Sequence, residues 1–281
     1  MKDFPEFCLN LLWRPDRKLR ANSEFRRAKL EVKLLSSPDA MDSVHRRGWK
    51  STGLRACTLA HRLGWRAAWQ ARADAAIIFE DDVILGDDFR ERLIGLALPD
   101  DWQICYFGCV FHHMPTVLGD GMVRLNGTSW DAHGYVIRKP FAKFIDREFA
   151  KVSRAIFHRP TDRELANDTI IADYHGQFPA HGVWPPMAWQ AEGLSKNENN
   201  FRGNYHPDGR QILYPHLVAE MDAAHGIETP ERIPRPAKPE VSAMVGGWPA
   251  PAVLRQKRME EAGAPRPPKV TSQVWPSERR R

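Results

Sequence analysis

An α/β domain built on a mainly parallel central sheet is the fold class this sequence predicts, and three observations predict it. Short apolar runs alternate with longer amphipathic ones along the first 150 residues. The clearest buried run, AAIIFED at 75–81, ends in carboxylates, and open α/β sheets gather their chemistry at strand carboxyl ends. A chain of 281 residues with 42% hydrophobic content can fill one large core or two small ones.

The elements follow in order. EFCLNLL (6–12) is short and apolar, hence a strand; RPDR breaks it, and DRKLRANSEFRRA (16–28) is a mostly charged helix carrying Leu19 and Phe25. KLEVKLL (29–35) reads as a second strand, and SSPDAMDSVHRRG (36–48) as a helix start. From Thr52 to Ala73, Leu54, Ala56, Leu59, Ala60, Leu63 and Ala67 give one apolar face, so a long helix is expected. AAIIFED is the buried strand, DDFRERLIGLAL (87–98) an amphipathic helix, and DWQICYFGCVF (101–111) and AHGYVI (132–137) are further strands. KPFAKFIDREFAKV (139–152) is a helix with Pro140 in its first turn, where the missing N–H does no harm.

Composition narrows the class. The net charge of +6 divides into +9 over 1–72, −8 over 73–227 and +5 over 228–281, which suits a polyanion meeting a cation, or plain solvated helix faces. Ten of the 22 prolines lie beyond residue 227, so 228–281 is expected to be an extended basic arm beside a 1–227 domain. Cys8, Cys57, Cys105 and Cys109 sit in apolar runs without CxxC spacing, as buried reduced thiols do. No run nears the roughly 20 apolar residues of a membrane span and the first residues lack signal-peptide character, so a cytoplasmic protein is expected.

The stretch IIFEDDVIL (77–85) raises the chemical question, because Glu80, Asp81 and Asp82 repel one another and need a positive partner. Carboxylate oxygens suit hard cations such as Mg²⁺ and Mn²⁺. If the strand continues, Glu80 and Asp82 point to one side as a cation pair and Asp81 to the other. The competing reading is that these acids begin a loop and cap the helix at 87.

Further stretches in the same order resemble one family. CLNLLWRPDR is similar to the opening N-L-x-x-R-x-x-R signature of glycosyltransferase family 25, with Asn10, Leu11, Arg14 and Arg17, and with Trp13 as an extra residue. GLRACTLAHRLGW resembles its G-x-x-G-C-x-x-S-H helix, keeping Gly53, Cys57 and His61 but carrying Ala56 and Ala60 in place of glycine and serine. EDD matches its acidic motif, AHGYVI with Tyr135 its later strand, and ANDTIIADY with WPPMAWQAEGLSK its D…P…Q…S-D segment through Asp168, Pro186, Gln190 and Ser195. Lys196 stands where the family has aspartate. The resemblance covers about residues 7–200 and leaves the tail outside it.

The resemblance implies a GT-A type fold and inverting transfer of a hexose, galactose or glucose, from a UDP-sugar to a glycan or glycolipid hydroxyl. Its implied parts are Glu80 and Asp82 on Mn²⁺ or Mg²⁺, and Asn10, Arg14, Arg17, His61 and Asp81 around the donor. Arginine suits a diphosphate because its fork is bidentate. Asp168 is the expected base, with Asp162 as the alternative and helix capping as the competing reading. His61 is otherwise a core histidine, and His181 and His216 are left without a role. Most of the 10 tryptophans read as core or interface, and Trp184 and Trp189, flanking PPMA near the acceptor side, are the two to test for stacking on sugar. The basic tail suggests an anionic membrane surface. Two other functions fit the same residues: glycosylation of modified DNA bases, with the basic segments on phosphate, and non-catalytic binding of a sugar or nucleotide.

Overall fold

The computed structural model describes residues 4–10, 14–36, 52–111, 113–127, 129–130, 132–156, 167–191, 193–195, 200–202, 221–226, 244–245 and 248–249. The 36–48 helix start beyond residue 36, and Leu11, Trp13, Asp162, Lys196 and His216, lie outside them. Two compact units are present, Met1–Thr229 and Pro230–Arg281. In the second, the strands Met244–Val245 and Trp248–Pro249 pair antiparallel.

The first unit begins with β1 (Glu6–Asn10), α1 (Pro15–Arg27) and β2 (Val32–Ser36). Pro15 opens α1 where its ring fits, and Arg26 and Arg27 stand in the last turn, opposite the partial negative charge of the helix end. Then come α2 (Thr52–Gln70), β3 (Ala75–Glu80), β4 (Val83–Leu85), α3 (Phe89–Gly95) and β5 (Ile104–Tyr106). Short strands β6 (Val110–Phe111), β7 (Thr116–Gly119), β8 (Met122–Arg124) and β9 (Ser129–Trp130) precede β10 (Gly134–Arg138) and α4 (Lys139–Ile156). After α5 (Asn167–Ala172) come β11 (Ala180–Val183) and β12 (Ala188–Gln190). Gly193–Ser195 and Asn200–Arg202 form a separate antiparallel pair.

The α/β expectation holds, with the sheet mixed. Eight strands run in the order β2-β1-β3-β10-β5-β11-β8-β7. β2, β1 and β3 are parallel; β10 is wedged antiparallel between β3 and β5; β11 is again parallel to β5, and β8 opposes both β11 and β7. Six strands therefore share one direction, while β10 and β8 run against it.

Alternation along the strands builds two cores. Leu9, Ile78, Tyr106, Tyr135 and Ile137 face Trp65 of α2, Phe141 and Ile145 of α4, and Ile170 of α5. Cys8, Ile77, Phe79, Cys105 and Val136 face Phe25 of α1 and Phe89 of α3 on the other side. The four cysteines are free thiols. No helix among the described residues is long and apolar enough to cross a membrane.

The alternation decides where the acids go. Leu9 pairs in register with Glu80, so the carboxyl ends of β1 and β3 lie side by side. Phe79 packs toward α1, and Glu80, one residue on, turns toward α2. β3 stops at Glu80, and Asp81 and Asp82 form a turn.

Candidate active site

Asp81 and Asp82 share one guanidinium. Arg17 Nη1, in the first turns of α1, donates to Asp81 Oδ1 at 3.1 Å and Asp82 Oδ2 at 2.9 Å. Asn10, closing β1, donates through Nδ2 to Asp81 Oδ2 at 2.8 Å. Gln190, closing β12, donates through Nε2 to Asp82 Oδ2 at 3.1 Å. The pairing of β12 with β4 carries Gln190 there, since Gln190 sits opposite Val83, the residue after Asp82. The Asp82 carbonyl also accepts from the Ala191 amide at 2.7 Å.

Glu80 belongs to a different neighbourhood. Its Oε1 lies 2.8 Å from His61 Nε2 and accepts from Cys57 Sγ at 3.8 Å, both one turn apart on α2. The Cys57 thiol also reaches Asn167 Oδ1 of α5 at 3.6 Å. Glu80 thus finds its hydrogen-bond partners on α2, while Asp81 and Asp82 find theirs on β1, α1 and β12, and the charge of Glu80 still bears on Asp82. Strict alternation applies only to extended chain, and the chain turns at Asp81.

Electrostatics tie the two neighbourhoods together. Asp82 is buried, 5% exposed. Its carboxyl is pushed up to about 7, first by burial and then by the charge of Glu80, with Arg17 opposing. Asp81 is raised too, chiefly by burial, against the pull of Arg17 and Asn10. The Cys57 thiol is pushed well above its ordinary range by burial and then by the charges of Glu80 and Asp168. It is a neutral thiol, unsuited to nucleophilic attack. The charge of Asp168 thus reaches Cys57, and its own Oδ1 accepts from the Thr169 amide at 2.8 Å in the first turn of α5.

One atom in this cluster is orphaned. Asp82 Oδ1 is buried and meets no hydrogen-bond donor among the described residues. An ionised oxygen without a donor in a buried turn is costly. With carboxylates on both sides, the donor set suits a hard divalent cation such as Mn²⁺ or Mg²⁺.

Of the other expected residues, Arg14 caps α1 without a side-chain cap bond, and its guanidinium grips Asp16, 62% exposed, at 2.6 Å. That grip holds the Asp16 carboxyl down to about 2. The Arg14 carbonyl accepts from Asn10 Nδ2 at 3.4 Å. His61 is wholly buried, but its partners are Glu80 and the Tyr135 hydroxyl, 2.9 Å from Nδ1, where a core histidine would meet backbone. His181 lies on β11 in register with Cys105, on the sheet face opposite Glu80. Trp184 takes the core reading: it is buried, its indole donates to Asp222 Oδ1 at 3.2 Å, and it packs on Phe111. Trp189 remains half-buried on β12. The residues reasoning from sequence passed over are Gln190, noted there only as a motif letter, with Trp65 and Asn167.

Residues 4–109 match the model of glycosyltransferase family 25 (LPS biosynthesis protein). Over 160 residues the chain is 28% identical to the lacto-N-neotetraose biosynthesis glycosyltransferase LgtB of Neisseria meningitidis serogroup A / serotype 4A (strain DSM 15465 / Z2491), an alignment covering 46% of this chain. The chain spans 57% of the length of that relative. Among solved structures it is similar to galactosyltransferase LgtC in complex with donor and acceptor sugar analogs, at a TM-score of 0.42 and 10% identity, over 81% of this chain and 98% of that one. It is similar also to glycosyltransferase GlyE of Streptococcus pneumoniae TIGR4, at 0.39 and 12%, over 64% and 46%.

Proposed function

We infer that this chain, whose residues 4–109 match the model of glycosyltransferase family 25, is a glycosyltransferase of lipopolysaccharide-type glycan synthesis. The donor is a UDP-hexose, galactose or glucose, and the acceptor a glycan or glycolipid hydroxyl. The observation that carries this reading is the orphaned, buried Oδ1 of Asp82 at the end of a central strand, beside Glu80 and within reach of an arginine. A divalent cation held by Asp82 and Glu80, Mn²⁺ or Mg²⁺, would neutralise the charge that grows on the leaving nucleoside diphosphate.

The chain's own groups do the rest. Arg17 stands in for a cation between Asp81 and Asp82 at rest; once those carboxylates are neutralised, its fork is available to diphosphate oxygens. Asn10 holds Asp81, and Gln190 holds Asp82, so both carboxylates keep their places while Arg17 moves. Arg14, at the mouth of α1, adds a second guanidinium to the donor side. Asp168, whose charge reaches Cys57, is the residue proposed as the base that takes the acceptor hydroxyl's proton, which an inverting transfer needs.

The test is a panel of nucleotide sugars with Mn²⁺, scored for released nucleoside diphosphate and for a rise in melting temperature, and repeated with chelator. A UDP-hexose is expected to give both, with release abolished by chelator. If no donor is turned over or raises the melting temperature, the reading fails.

A further inference from the structure

Behind Glu80 runs a chain of buried hydrogen bonds whose direction its own chemistry determines. Trp65 Nε1, on α2, lies 3.0 Å from the Tyr135 hydroxyl of β10; that hydroxyl lies 2.9 Å from His61 Nδ1; and His61 Nε2 lies 2.8 Å from Glu80 Oε1. Trp65, His61 and Tyr135 are each 0% exposed, so water cannot substitute for any of these partners. An indole N–H only donates, so the Tyr135 oxygen accepts from Trp65. The Tyr135 hydroxyl is held well above its usual range by burial and keeps its proton. That proton needs an acceptor, and His61 Nδ1 is the one at hydrogen-bond distance among the described residues. The ring then carries its own proton on Nε2, which donates to the Glu80 carboxylate.

We infer that Tyr135, oriented by Trp65, fixes the Nε2–H tautomer of His61 and through it the position of the Glu80 carboxylate, which makes Tyr135 and His61 positioning residues of the cation site. This deepens the donor-site reading of the acidic turn and rests on it. The arrangement spans both layers: α2 supplies Trp65 and His61, β10 supplies Tyr135, and β3 supplies the carboxylate. His61 is also stacked on Tyr135, ring centroids 5.9 Å apart and planes 11° from parallel, so the imidazole cannot rotate without unstacking. Partners of this outer kind set the geometry and basicity of the groups they hold.

The same atoms admit one competing arrangement. Cys57 Sγ, His61 Nε2 and a Glu80 oxygen all lie within 4.8 Å of one another. A thiophilic cation could take all three only if Nε2 carried no proton, the opposite tautomer.

Ring ¹⁵N shifts of His61 in the wild-type chain decide between them. The expected spectrum is a neutral ring protonated at Nε2; a ring protonated at Nδ1, or at both nitrogens, overturns the inference. Titration with Co²⁺ is expected to give no thiolate-to-metal absorption band, and a band lost in Cys57→Ser overturns it. In Tyr135→Phe, checked by circular dichroism to be folded, Mn²⁺ affinity is expected to fall about tenfold or more while UDP binding without metal is unchanged. Mn²⁺ affinity within about twofold of wild type, where outer-partner loss should cost tenfold, overturns the positioning role. If wild type binds neither Mn²⁺ nor any nucleotide sugar, the donor-site reading fails by itself, and the His61 spectrum still decides the tautomer.

Discussion

Asp82 sits where function and stability pull apart. Its carboxyl is pushed up to about 7 by burial and by Glu80, so between roughly pH 4 and 7 the folded chain binds more protons than the unfolded one. Stability therefore falls as pH rises through that window, the reverse of an ordinary paired aspartate. Asp82→Asn keeps the shape and removes the charge. The metal-free variant is expected to melt several degrees above wild type at pH 8, where about 1 kcal/mol corresponds to 2–4 °C, and to lose that advantage by pH 4. Melting curves of both proteins across pH check this; equal curves would mean that Asp82 is not held protonated by its site. Asp168→Asn makes a separate prediction: donor binding retained and transfer lost, read by isothermal titration beside a turnover assay. Lost donor binding would move Asp168 to the donor side.

How much of this was legible at the residue scale depends on geometry that spacing carries. The run into EDD identified the strand end and its three acids, because apolar content and a sudden charge are local facts. Their hydrogen-bond partners were not legible: period-2 alternation presumes extended chain, and the turn begins at Asp81. Gln190 was visible as a motif residue, but its partner was not, because it reaches Asp82 through the β12–β4 pairing, 108 residues away in sequence.

Among the elements, α2 and α4 show what holds the scaffold behind the site. Asp146 of α4 accepts from Arg62 Nε at 2.7 Å and Trp69 Nε1 at 3.2 Å, both on α2. Burial alone would raise its carboxyl; these bonds outweigh that and hold it below the usual range. Its contribution is thus present at neutral pH and lost as pH falls below the ordinary aspartate range. Asp146→Asn is expected to cost about 1–2 kcal/mol at pH 7 and progressively less below about pH 4, measured by denaturant unfolding. Gly108, just after β5, is a position of close approach: a Cβ there would stand 1.9 Å from the Ala188 carbonyl oxygen and 3.0 Å from His133 Nε2. Gly108→Ala must push β12 away and carry Gln190 from Asp82, at about 1–3 kcal/mol of stability with loss of turnover in the same variant. The long strongly patterned elements, α1, α2, β3, β10 and α4, were readable from sequence. Strands of two to four residues such as β7, β8, β11 and β12 were not, since pairing partners far along the chain define them and local pattern does not.

At the scale of the whole molecule, charge is partitioned: +9 over 1–72, −8 over 73–227 and +5 over 228–281. The first unit brings Arg17 from the basic part onto Asp81 and Asp82 of the acidic part. We propose that the Pro-rich basic segment reaches an anionic membrane surface, where each Lys or Arg near the headgroups adds about 1 kcal/mol. Full-length chain is expected to sediment with vesicles containing phosphatidylglycerol, to release as salt shortens the Debye length to about 3 Å near 1 M, and to lose this binding when truncated after Thr229. Sedimentation of the truncated chain would place the membrane contact elsewhere. Binding of duplex DNA in preference to vesicles would favour the nucleic-acid acceptor.

The central claim, that a cation seated on the acidic turn serves a sugar diphosphate, is tested most directly by the UDP released from a UDP-hexose with Mn²⁺, wild type beside Asp82→Ala. Wild-type release, with a fall of at least about a hundredfold in the variant, is the predicted result, the size expected when a preorganised charge-stabilising group is lost. Equal release from both proteins would contradict it.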